Sequence, residues 1–170
     1  MENASKALIM AASILLGLMI ISVGVALFNT FSEFSRDTLE KVEEKKLAEW
    51  NNNYLKYYGI MAVEENGKYI SKPIEVTAHD IVSVANLAKQ NNENYELENQ
   101  SAYDENSYYV QVQVDKKNNF EKSTEQEKNI FLQENSLTEE NETKYYKCTE
   151  VKISEVTKRV MYIKFVEYEK

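Results

Sequence analysis

The chain is short of the residues that most site chemistries need. Among 170 residues there is one cysteine and one histidine, so no internal disulfide can form and no site needing two imidazoles can be built. One proline and four glycines leave few forced breaks in the backbone, and none of these residues falls between Val25 and Tyr58. Glycine-rich phosphate loops, paired-cysteine metal patterns and a nucleophile elbow are all missing. Basic residues are outnumbered, 20 Lys+Arg against 28 Asp+Glu, and the net charge of −8 opposes sequence-independent binding to a polyanion. Nucleic acid is therefore not an expected partner. No internal repeat and no Gly/Ser linker is present.

What the chain does have is apolar and aromatic surface to bury. With 43% hydrophobic and 11% aromatic residues, including 12 tyrosines, it can offset the ordering entropy of one small packed domain. Its most pronounced feature is Ala7 to Phe28, ALIMAASILLGLMIISVGVALF, an uncharged run bounded by Lys6 and by Asn29 and Thr30. A helix of about 22 residues covers roughly 33 Å and satisfies its own backbone groups, which suits the hydrocarbon layer of a bilayer. A single membrane span over residues 1–28, head included, is expected. A buried core helix would have to hide every face of this segment in a small domain. Cleavage as a secretory signal near Gly24-Val25-Ala26 is the other rival reading. The short head and long acidic remainder favour a signal-anchor with the C-terminal domain outside the cytoplasm. Small residues recur in the span at Ala7 and Ala11, Ser13 and Gly17, and Ser22 and Ala26, with Gly24 near them, and would let helices approach closely.

The helix is expected to continue as an amphipathic stalk, residues 29–58, until Gly59 stops it. Phe28, Phe31, Leu39, Val42, Leu47, Trp50, Tyr54 and Tyr57 fall within about half of the helical circumference. Of these, Leu39, Val42, Leu47, Trp50, Tyr54 and Tyr57 are expected to pack the stalk on a sheet. Residues 59–170 read as an α+β domain. Glu65-Asn66-Gly67 between apolar segments predicts a hairpin. Thr77 with Asp80 predicts a helix start, carrying Ile81, Val84, Ala85 and Ala88 inward to an end near Asn91 or Asn92. Asn91 to Ser107, rich in Asn and Glu, reads as a surface loop, with room for a strand around Tyr95 to Leu97. Alternation over Tyr108 to Asp115 marks a half-buried strand. Thr124 with Glu127 has capping-box spacing and predicts a short helix with Ile130 and Phe131 inward, before an acidic loop. Lys144 to Val156 and Arg159 to Tyr168, joined by Thr157-Lys158, should pair as a terminal hairpin. The expected fold is a long N-terminal helix packed on a small antiparallel β-sheet with one or two short helices.

This plan of short polar head, apolar helix continuing as a stalk, and sheet packed on the stalk resembles type IV pilins and related pseudopilins. In that family a glutamate lies near the start of the mature chain, and Met1-Glu2-Asn3 offers a candidate acid. The resemblance implies a structural subunit that assembles through its N-terminal helix, with membrane lipid and other pilin-like subunits as partners. Glu2 would face the N-terminal amine or Lys6 of a neighbour and set the register between subunits. The alternative is a signal-anchored extracytoplasmic sensor or ligand-binding module.

Chemistry has few candidates. His79 beside Asp80 is a pair without a third group, and Cys148 on a predicted strand reads as an inert thiol. Asp104-Glu105-Asn106 lacks the spacing of a calcium loop. Tyr54, Tyr57, Tyr58, Tyr108, Tyr109, Tyr145 and Tyr146 could form a recognition surface, or simply pack the core. Sequons stand at Asn99 and Asn141. No catalytic, cofactor-binding or metal-ligating residue is expected.

Overall fold

A computed structural model describes residues 2–65, 67–136 and 143–168. The order is α1 (Glu2–Leu55), β1 (Ile60–Glu65), β2 (Lys68–Pro73), α2 (Ala78–Asn94), β3 (Gln111–Val114), a 3-10 turn (Phe120–Lys122), α3 (Glu125–Asn135), β4 (Tyr145–Ile153) and β5 (Val160–Tyr168). The architecture is α+β, a long N-terminal helix with small sheets and short helices. The chain divides into two compact units, Met1–Lys46 and Leu47–Lys170. The boundary lies inside the stalk expected over residues 29–58.

The first unit is helix alone. With no glycine or proline to interrupt it after Val25, α1 runs for 54 residues, and Gly59 with φ +138° lies just beyond its end. The hydroxyls of Ser13, Ser22, Thr30 and Thr38 donate to carbonyls four residues back at 2.7–3.0 Å, so they present no unsatisfied donor to apolar surroundings. Leu39 and Val42, expected to pack against the sheet, are 61% and 43% exposed. Periodicity fixes which face of a helix is apolar; it does not fix how far along that face a partner extends.

In the second unit the stripe does find its partner. Tyr54 is fully buried, Trp50, Leu55 and Tyr57 pack against the same core, and Leu47 is half-buried. The core lies between α2 and a three-stranded sheet ordered β3-β5-β4. β5 is the centre strand, and its run Val160, Met161, Tyr162 and Ile163 is buried on both faces. β4 pairs with β5 antiparallel as expected, with Thr149 bulged between Cys148 and Glu150. β3, however, runs parallel to β5, so the sheet is mixed rather than antiparallel.

Local patterns located most of the remaining elements. Thr77 and Thr124 each form a full capping box, with Asp80 and Glu127, at the starts of α2 and α3. The hairpin β1–β2 forms with Gly67 at φ +74°; Asn66 lies outside the described residues. After α2 ends at Asn94, residues 95–107 form the expected loop, and Tyr95 to Leu97 is a turn instead of a strand, with Glu96 at φ +56°. Ile130, expected inward, is 52% exposed, and Lys128 is buried in its stead. The Lys128 ammonium donates to Asn86 on α2 at 2.6 Å and pairs with Glu125 at 3.5 Å, so the stem can be covered while the charge stays partnered. The expected acidic loop after α3 falls largely on residues 137–142, outside the described residues.

Candidate functional site

The assembly residues read from the sequence all lie on α1. Lys6 Nζ donates to Glu2 of the same chain at 3.0 Å, across one turn, with both side chains largely exposed. Along a 3.6-residue period the small residues divide into two stripes on roughly opposite sides, Ala7, Ala11, Ser22 and Ala26 on one and Ser13, Gly17 and Gly24 on the other. Nothing lies within 4 Å of a Cβ built on Gly17 or Gly24. No residue of the most apolar stretch is buried, and the helix is long and apolar enough to cross a membrane.

The end of α1 is fastened to the domain by a polar clamp that periodicity does not reveal. Asn51 Nδ2 donates to the Lys158 carbonyl at 2.8 Å, and the Val160 N–H donates to Asn51 Oδ1 at 2.9 Å, so one amide closes the β4–β5 turn onto the helix. The next residue along that turn, Arg159, stacks over Trp50 at 4.3 Å and over Tyr108 and Tyr95 at 5.2 and 5.5 Å. Its guanidinium also donates to Tyr95 Oη at 3.1 Å and to Asn91 Oδ1 at 3.0 Å. The cue in the sequence is Arg159 itself, because the chain otherwise uses lysine for nearly all its cations and only a planar fork can stack and donate in two directions.

A second buried network caps the outer edge of β3. Asn92 accepts from the Val110 N–H and donates to the Val110 carbonyl, both at 2.9 Å. Glu121 accepts from the Val112 N–H at 2.9 Å and from Tyr109 Oη at 2.6 Å. Tyr109, which alternates with Val110 and Val112 along this segment, is buried with its hydroxyl on Glu121. Burial pushes the Glu121 carboxyl above its ordinary value, against the pull of its two donors, and pushes the Tyr109 hydroxyl up as well. A cavity of about 280 Å³ lies beside them, lined by Lys89, Asn92, Glu93, Glu98, Glu121 and Lys122. Its polar groups are engaged within the protein, since Lys122 donates to the Glu98 carbonyl at 2.9 Å and Lys89 pairs with Glu93 at 3.9 Å.

The reactive candidates are dispersed. His79 is exposed in the first turn of α2. Cys148 is buried in the sheet, where desolvation pushes its thiol up to about 11. Asp104 and Glu105 serve local structure: the Asp104 carboxylate accepts from the Asn106 N–H, and Glu105 accepts from Ser154 and Glu155 at the β4–β5 turn. Among the described residues no group of three His, Cys, Asp or Glu could hold a metal ion. Of the seven singled-out tyrosines, Tyr54, Tyr109 and Tyr146 are buried, Tyr57 and Tyr145 are half-buried, and Tyr58 and Tyr108 are exposed. Asn99 is exposed, and Asn141 lies outside the described residues. No protein family, curated protein or solved structure matches this chain.

Proposed function

We propose that the chain is a single-pass membrane-anchored protein whose C-terminal domain stands outside the cytoplasm, and that it is a pilin-like structural subunit assembling through α1. The observation that carries this reading is the uncharged run Ala7–Phe28, no residue of which is buried, inside one continuous helix. Such a surface is stable only in lipid or in an equally dry assembly of like helices. Two further features support assembly. The serine hydroxyls in the run are satisfied internally, and small residues on two sides leave room for two neighbouring helices to approach. The role is a non-enzymatic one in this reading, in which the buried Glu121, Asn92 and Lys128 hydrogen-bond within the fold.

The sensor alternative has less support, since the cavity beside Glu121 offers a ligand groups that already serve the protein. The test is N-terminal sequencing of the protein recovered separately from membranes and from sheared surface material. The proposal expects α1 retained in both fractions, with the surface fraction in high-molecular-weight assemblies. Recovery solely as a soluble fragment beginning near Leu27 would overturn it.

A further inference from the structure

Among the described residues the edges of one sheet are closed and those of the other are open. At the three-stranded sheet, Asn92 and Glu121 cap the outer edge of β3, and Val76 exchanges two backbone hydrogen bonds of 2.8 Å with Tyr146 at the outer edge of β4. Among the described residues the hairpin β1–β2 has no such cover and forms a sheet of two strands. Its register places Ile60, Glu64 and Tyr69 on one face and Met61, Val63, Ile70 and Lys72 on the other. Ile60 and Tyr69 are 73% and 77% exposed, and Met61 on the opposite face is 44% exposed. Two strands standing alone in water are marginal, so both the open edges and the apolar side chains call for a further strand.

Charge selects which strand. β1 carries Glu64 and Glu65 and no base; β2 carries Lys68 and Lys72 and no acid, and one acid–base pair, Lys72 with Glu65 at 3.4 Å, already forms between the two strands of the hairpin. Pairing β2 with a second β2 in antiparallel register about Ile70 sets lysine against lysine, and pairing β1 with β1 brings four carboxylates to one seam. Pairing β1 with another copy's β2 continues the register already present, in which Glu65 stands opposite Lys68 and Val63 opposite Ile70. We propose that the hairpin is an assembly arm, the acidic β1 edge of one copy adding the basic β2 edge of a second copy of this chain. The contact is head-to-tail, so it leaves an edge free for the next copy, as a filament needs. It deepens, and rests on, the self-assembly reading of α1.

The test uses the full-length chain with Cys148→Ala, reconstituted in lipid vesicles. One population carries Val63→Cys and a second, distinguishable by mass, carries Ile70→Cys; directly opposed positions lie within disulfide range. After mild oxidation the mixed product should exceed either self-product at least tenfold, and adding Glu64→Lys with Glu65→Lys to the first population should abolish the excess. A third chain, Gly17→Cys, reports association of α1 separately. Cross-linking at Gly17 with no mixed hairpin product overturns the arm and leaves the α1 reading standing, as does a predominance of self-products. A mixed product without cross-linking at Gly17 supports the arm and overturns assembly through α1. Absence of both overturns both.

Discussion

Glu121 shows how one buried side chain sets a pH dependence. Its carboxyl is shared between a phenol and a backbone N–H, and burial raises its pKa above the ordinary 4.5. An acid raised on folding contributes stability that is fully present below that ordinary value and is lost as pH rises through the raised one. Unfolding in detergent, followed by the fluorescence of Trp50, should therefore show stability declining with pH above about 4.5. Glu121→Gln reproduces the protonated acid, accepting from Val112 and donating to Tyr109. It should match the parent at low pH to within about 1 kcal/mol, exceed it at neutral pH and flatten the decline. An unchanged slope would remove Glu121 as its source. Arg159 makes the complementary case for shape over charge. Arg159→Lys keeps the cation but forfeits the stack on Trp50 and one arm of the fork to Asn91 and Tyr95. We expect a loss of about 2 kcal/mol by thermal unfolding, with a red shift of Trp50 emission.

Among the elements, those specified by nearby residues were legible in the sequence. The two capping boxes need only a threonine and an acid three residues on, and Thr77→Ala should lower stability by about 1 kcal/mol in the same unfolding measurement. The terminal hairpin and the hairpin around Gly67 follow from alternation and turn chemistry. What was not legible depends on distant partners. β3 lies parallel to β5 through pairs such as Gln111 with Tyr162, far apart in sequence, and no local pattern carries that direction. The outer edge of β3 is capped because the 3-10 turn at Phe120–Lys122 delivers Glu121 to it, after Asn119 takes a left-handed conformation. Since Asn92 alone satisfies both Val110 backbone groups, Asn92→Ala should cost about 2 to 3 kcal/mol and speed amide exchange at Val110. A fast-exchanging Val110 in the parent would contradict the capped edge.

For the whole molecule, the clamp at Asn51 and Arg159 was hidden from sequence reasoning because it joins residues more than 100 positions apart. The apolar half of α1 was plain from the first because hydrocarbon length and absence of charge are local properties. The account stands on where that half resides. The direct measurement is extraction of membranes containing the full-length chain with alkaline carbonate, then with detergent, beside a variant carrying Ile14→Arg and Ile20→Arg. Each arginine near the centre of a span opposes insertion by about 2.5–3.5 kcal/mol. The parent should stay in the carbonate pellet and enter solution only with detergent, and the variant should be released. Full-length parent freed by carbonate, and monodisperse in buffer without detergent, would contradict the account.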